Sequence, residues 1–221
     1  MNNTPPVRIR VQFSKDGDLR FTGHLDLQRL FERALRRSGL PLRYSQGFNP
    51  KARLSIASAL PLGFSSEAEF LDFWLDTEID LQEVQQRLSA ALPRDITIRH
   101  IEAVPNQAPS LQSSLLASEY HVSFLPEIDT QEVAAKLSAL LARESIPFSR
   151  RAKTVDLKDL LLAANWQRTA EGLELSLRMK STPEANGRPD ELLSLLGLTA
   201  GSYQVRRTAL IFNADEMTKH G

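Results

Sequence analysis

The chain has 221 residues, with 27 Lys/Arg against 27 Asp/Glu and 42% hydrophobic content. That composition excludes a disordered chain and suits two globular domains of roughly 100 residues each. It has no cysteine, which excludes disulfides, cysteine-ligated zinc, an iron–sulfur cluster and a thiol nucleophile in this chain, and points to a cytoplasmic setting. No apolar run approaches the roughly 20 residues needed to span a bilayer. Met1 to Pro6 shows no charged leader before an apolar core, so neither a membrane segment nor a signal peptide is expected.

Val7 to Phe13, VRIRVQF, alternates apolar and polar residues and predicts a half-buried strand. From His24 on, Leu27, Leu30, Phe31, Ala34 and Leu35 recur at three- and four-residue spacing. This predicts a helix with Thr22 as N-cap and a stop at Gly39 and Pro41. Leu54 to Leu60 and Phe70 to Leu75 read as strands, with Gly63 and Ser65-Ser66 as the turn between them. Asp80 to Leu92 has a second helical period ended by Pro93, and Ile96 to Ile101 alternates again. The order strand, helix, strand, strand, helix, strand is that of a ferredoxin-like domain over residues 1–104. Residues 105–117, rich in Pro, Gln and Ser, read as a linker.

The pattern then restarts over residues 118–213. Strands are expected at Tyr120 to Leu125, Phe148 to Ala152, Leu173 to Met179 and Tyr203 to Phe212. Helices are expected at Thr130 to Leu141 and Pro189 to Leu196, and Asp156 to Ala164 reads as a short helix or an irregular apolar segment. The fold class is therefore α+β, two tandem ferredoxin-like domains, with a frayed tail over 214–221.

Charge is unevenly placed. Arg20 to Arg53 carries eight Lys/Arg against Asp26 and Glu32, net +6, whereas Glu67 to Glu102 has nine acids and three bases, net −6. Arg29, Arg33, Arg36 and Arg37 recur at helical spacing on one face, where they could neutralise RNA phosphates or form a solvated stripe. The loop Tyr44-Ser45-Gln46-Gly47-Phe48-Asn49-Pro50-Lys51 combines aromatic faces, amides, a hydroxyl and a cation. Tyr44 and Phe48 could stack on unpaired bases while Gln46 and Asn49 read base edges. The alternative is a packed turn with Phe48 buried and Asn49 capping the loop before Pro50. Gly47 and Pro50 are structural under either reading. Arg20, Ser45, Lys51 and Arg53 extend the candidate RNA surface, and Arg150, Arg151, Lys153 and Lys158 flank Asp156, a structural carboxylate, where they could extend the RNA surface or form surface salt bridges.

His24 is the one candidate general base for 2′-hydroxyl attack, with a backbone- or Asp26-bonded first-turn histidine as the alternative. His100, His121 and His220 are scattered, so no metal site is expected.

The run GDLRFTGHLDLQRLFERALRRSGLPLRYSQGFNPKARLSIASALPLGFSSEAEFLD, Gly17 to Asp72, resembles the bacterial radical-SAM-linked protein family, a domain of unknown function. Its marks are Gly17–Leu27, the YSQGFNP run and the LPLG run at Leu60–Gly63. The likeness extends to Ala108-Pro109-Ser110-Leu111 and to Lys153, Asp156 and Leu157. The resemblance implies an RNA-binding accessory in tRNA or rRNA modification, with a radical-SAM enzyme as partner. The S-adenosylmethionine and iron–sulfur cluster would belong to that partner, and this chain would hold no cofactor. A doubled ferredoxin-like layout is also similar to tRNA pseudouridine synthases and CRISPR repeat-processing endoribonucleases. The loop that holds the nucleophilic aspartate in the synthases has no carboxylate here. Three readings stay open: RNA-binding accessory, metal-independent endoribonuclease using His24, and protein-docking module without RNA.

Overall fold

The structure, a computed structural model, describes residues 5–150, 153–169 and 172–213. Arg151, Ala152, His220 and the tail reading lie outside them. The chain divides into two compact units, Met1–Leu115 with Phe212–Gly221 and Leu116–Ile211. The class is mixed α+β.

The first unit begins with strand β1 (Val7–Lys15), a 3-10 turn (Gly17–Phe21) and helix α1 (His24–Arg37). Strands β2 (Leu54–Ile56) and β3 (Ser65–Leu75), helix α2 (Leu81–Ala91) and strand β4 (Ile96–Val104) follow. The sheet runs β4-β1-β3, with β2 pairing β3, and every one of these pairings is antiparallel. Ile9, Val11 and Phe13 of β1 and Leu71, Phe73 and Leu75 of β3 meet Leu27, Phe31, Ala34 and Leu35 of α1 and Val84 and Leu88 of α2. Phe13 and Phe31 pack edge to face with centroids 4.7 Å apart.

Several boundaries depart from expectation. Thr22 does not cap α1; Gly23 does, without a side-chain bond, while the Thr22 carbonyl accepts from Lys15 Nζ at 3.0 Å. Thr22 ends the 3-10 turn instead, its N–H donating to the Leu19 carbonyl at 2.8 Å. Ser65 and Ser66 belong to β3 rather than to a turn, and Ser66 pairs with Lys15 of β1. The strand expected over Leu54 to Leu60 shrinks to three residues.

The larger correction concerns β1, which is buried on both faces rather than one. Arg8 and Arg10 point away from the helices, yet each is only 4% exposed, and both bond Asp72, which is 1% exposed. What covers Arg8 is the segment expected to be a plain linker. It holds helix α3 (Leu111–Ser114), and its Ala108 and Pro109 carbonyls accept from the Arg8 guanidinium at 2.6 and 2.8 Å. Asn106 accepts from Trp74 Nε1 at 3.1 Å, Gln112 donates to Ser55 Oγ at 2.8 Å, and Leu111 is fully buried. Asp72 supplies the negative charge that both guanidinium groups face, and two carbonyl dipoles from the strap complete the bonding of Arg8.

The second unit has strand β5 (Leu115–Phe124), helix α4 (Thr130–Leu141), and a hairpin of β6 (Pro147–Arg150) and β7 (Lys153–Asp156). Helix α5 (Leu157–Leu160), strands β8 (Leu161–Thr169) and β9 (Gly172–Lys180), helix α6 (Pro189–Leu195) and strand β10 (Tyr203–Phe212) complete it. Its strands run β10-β5-β9-β8. The strand expected at Phe148 to Ala152 is one arm of the small hairpin, and the true edge strand is β8, inside and beyond the segment read as a helix. LLAANWQRT lacks a period of two because β8 is an edge strand with most side chains partly or fully exposed. Its place is set by backbone bonds to β9.

Candidate nucleic-acid interface

Helix α1 carries its arginines on the face opposite the core. Arg29, Arg33, Arg36 and Arg37 are all exposed. Arg29 pairs with Asp26 at 3.2 Å and Arg37 donates to the Ala91 carbonyl at the end of α2. The side chains of Arg33 and Arg36 bond no described residue. A groove of about 450 Å³ opens beside them, with Arg29, Arg33 and Arg37 along one side and Leu30, Leu92 and Pro93 providing apolar surface.

At the C-terminal end of α1 the chain turns through Gly39, whose φ is +67°, and forms a protrusion. Leu42 bridges Leu75 at the end of β3, and beyond it the stem is a narrow antiparallel pair in which Tyr44 bridges Ala52. Arg53 N–H donates to the Arg43 carbonyl and Ser45 N–H to the Lys51 carbonyl, each at 2.8 Å. Ser45 Oγ accepts from Lys51 N–H at 3.1 Å, which places Ser45 in the stem rather than at a ligand. Residues 46–50 are the tip, and Gly47 has a φ of +142°, a conformation that side chains rarely allow. A packed turn with Phe48 inside does not form: Phe48 is fully exposed and Tyr44 is 40% exposed. Gln46 and Asn49 are exposed as well and bond no described residue, so Asn49 does not cap the loop.

The net +6 segment does not make one surface. Arg53 lies over the Trp74 ring at 4.1 Å, and Trp74 alternates with core-facing Phe73 and Leu75. Arg53 is therefore on the sheet face opposite α1. Arg43 is held by Asp76 at 2.8 Å. Arg20 lies over the Phe21 ring at 4.8 Å beside the N-terminus of α1. Only the α1 arginines and the protrusion that follows them share a region.

His24 opens α1, and its Nδ1 is buried without a hydrogen-bond partner, so it bonds neither Asp26 nor a carbonyl through that atom. The protrusion starts at the other end of this 14-residue helix, roughly 20 Å away at 1.5 Å per residue. Of the three donors a cleavage site at His24 could use, Tyr44 and Lys51 lie on the protrusion, whereas Arg20 lies beside the N-terminus of α1. Among the described residues no group of three His, Cys, Asp or Glu side chains could hold a metal, and no helix is long and apolar enough to cross a membrane.

In the second unit Arg150 is held by Glu191, with Nε 2.6 Å from Oε1, and by the Asn186 carbonyl at 2.7 Å. Glu191 is buried, so this bidentate pair fastens the β6–β7 hairpin to α6. Lys153 is exposed on the same hairpin. Asp156 caps α5, accepting from Lys158 N–H at 2.9 Å and from Ile146 N–H at 2.8 Å. Bonds from Ser145, Ile146 and Lys158 hold its carboxyl below its ordinary value of 3.8. A folded-state value below the unfolded one stabilises above the unfolded pKa and ceases to do so as pH falls through the folded value. Asp156→Asn is thus expected to lower the melting temperature at pH 6 to 7, with the gap to the wild type closing below pH about 4; a gap independent of pH would exclude the charge as its cause.

Sequence reasoning missed Arg8, Arg10 and Asp72. The available signal was an aspartate inside the apolar run FLDFWL and two arginines in the strand VRIRVQF.

The likeness to solved structures is low in identity. A chain of the Cbf5-Nop10-Gar1 complex has a TM-score of 0.48 at 8% identity, covering 91% of this chain and 48% of that one. This chain thus spans about half the length of that relative. An unknown protein from Galdieria sulphuraria has a TM-score of 0.28 at 12% identity, covering 80% of this chain and 81% of that one. No curated protein matches. A family model matches residues 8–189, from β1 to the start of α6. On that match the chain belongs to the family of uncharacterized proteins conserved in bacteria, DUF2344.

Proposed function

We propose that this protein is a cytoplasmic RNA-binding accessory that presents unpaired tRNA or rRNA to a radical-SAM enzyme. The observation that carries the RNA reading is the join between the α1 arginine face and the protrusion bearing exposed Tyr44, Gln46, Phe48 and Asn49. Arginines beside a groove suit phosphates, and exposed rings with unbonded amides suit unstacked bases. The radical-SAM partner rests on the family resemblance carried by the Gly17–Leu27 and YSQGFNP runs, and the cofactor chemistry would belong to that partner. The strand orders β4-β1-β3-β2 and β10-β5-β9-β8 support two ferredoxin-like units. Placement of Tyr44 and Lys51 at the far end of α1 from His24 supports an accessory over an endoribonuclease, with Arg20 the one of the three candidate donors left near the histidine.

The test is the salt dependence of single-stranded RNA binding, read by fluorescence anisotropy. Arg33→Ala with Arg36→Ala is expected to flatten the log–log salt slope by roughly 1.4, about 0.7 for each single-strand phosphate no longer neutralised. An unchanged slope would remove α1 from the phosphate path, and salt-independent binding would remove the reading.

A further inference from the structure

The sheet of the second unit has one face turned to its helices and one open. On the open face, register sets residues in rows across three strands. Glu119 of β5 lies opposite Arg178 of β9, His121 opposite Ser176, and Ser123 opposite Glu174. Strand β8 continues the rows with Ala163, Asn165 and Gln167. The outer rows carry long side chains that bond each other. Arg178 Nε donates to Glu119 Oε1 at 2.8 Å, and Gln167 Nε2 donates to Glu174 Oε2 at 3.2 Å.

The middle row is different. His121, Ser176 and Asn165, with Thr208 of β10 nearby, are polar and bond no described residue through their side chains. Long paired residues flanking short ones make a trough of about 420 Å³. That lies within the usual 300–1,000 Å³ range for small-ligand sites.

The chemistry of the trough narrows its occupant. Its arginine already faces Glu119, so a free anion finds no unpaired guanidinium there, and both glutamates are bonded, so a cation finds no open carboxylate. What remains is a ring to stack on, an amide with donors and an acceptor, and two hydroxyls, on the face of the sheet. A neutral planar heterocycle with mixed donors and acceptors on its edge fits that set. We propose that this trough binds one unpaired nucleobase of an RNA strand, stacked on His121 and read at its edge by Asn165, Ser176 and Thr208. The choice of RNA as carrier of the base rests on the RNA reading above; the site itself is separate from the α1 groove and the protrusion.

The test uses the full chain and a nine-nucleotide single-stranded RNA containing 4-thiouridine, photocrosslinked and mapped by mass spectrometry. Crosslinks are expected in peptides of β5, β8 or β9. His121→Ala is expected to weaken the same RNA by about 5- to 150-fold, the loss of one stacked base. Asn165→Ala, at an exposed edge-strand position, should alter preference among U-, C- and A-containing RNAs with an unchanged melting temperature. Crosslinks confined to residues 29–53, or full affinity in both variants, would overturn the trough and leave the RNA reading standing. Absence of any RNA binding by the wild type would overturn both.

Discussion

Asp72→Ala is expected to destabilise the first unit by about 3–5 kcal/mol, the usual cost of removing one partner from a buried ion pair. Asp72 is 1% exposed and receives bonds from both Arg8 and Arg10. Without it, two guanidinium groups remain out of water and lose their shared carboxylate, and Arg8 keeps the Ala108 and Pro109 carbonyls. At roughly 2–4 °C per kcal/mol for a chain of this size, the melting temperature should fall on the order of 10 °C. Replacing Arg8, Arg10 and Asp72 together by Met, Met and Leu should recover much of that loss, since apolar packing often equals a buried ionic cluster. Thermal denaturation of both variants decides it. A loss below about 1 kcal/mol for Asp72→Ala would mean that water reaches the cluster and the strap does not seal it.

Phe48→Ala and Tyr44→Ala should each weaken single-stranded RNA by about 5- to 150-fold, the equivalent of about 1–3 kcal/mol per stacked base. Duplex RNA should change far less, because its bases are already stacked. Phe48 is fully exposed, so its loss should leave the melting temperature nearly unchanged. Tyr44 sits in the stem at 40% exposure and should cost slightly more stability. Anisotropy titrations and melting curves on the same samples separate the outcomes. Equal loss for single-stranded and duplex RNA would assign the protrusion to phosphate binding, and undiminished affinity would remove it from the interface.

Helices α1, α2 and α4 were legible because each buries one stripe, and Leu27, Phe31, Ala34 and Leu35 repeat the 3.6-residue period along α1. Central strand β5 was legible only in its second half, because its first residues were absorbed into the supposed linker. Edge strand β8 was not legible, since its exposed side chains need no alternation. The candidate site was readable as a set of residue types and not as a surface. Arg53 and Arg29 lie 24 positions apart in the sequence and on opposite sides of the sheet, because the chain entering β2 carries Arg53 past β3 toward Trp74.

The amino-acid sequence alone determined where apolar periods place α1 and α2, that no cysteine chemistry occurs in this chain, and that the YSQGFNP loop joins rings to amides. Those properties are local: they depend on residue type and on spacing along one element. The tertiary structure decided that Arg8 and Arg10 are interior, that His24 is a helix length from the protrusion, and that residues 106–114 are a strap. It also decided that His121, Asn165 and Ser176 share a row. Each of these depends on which strand lies beside which, and strand pairing is set by burial and backbone bonds between segments far apart in the chain, which no local period records.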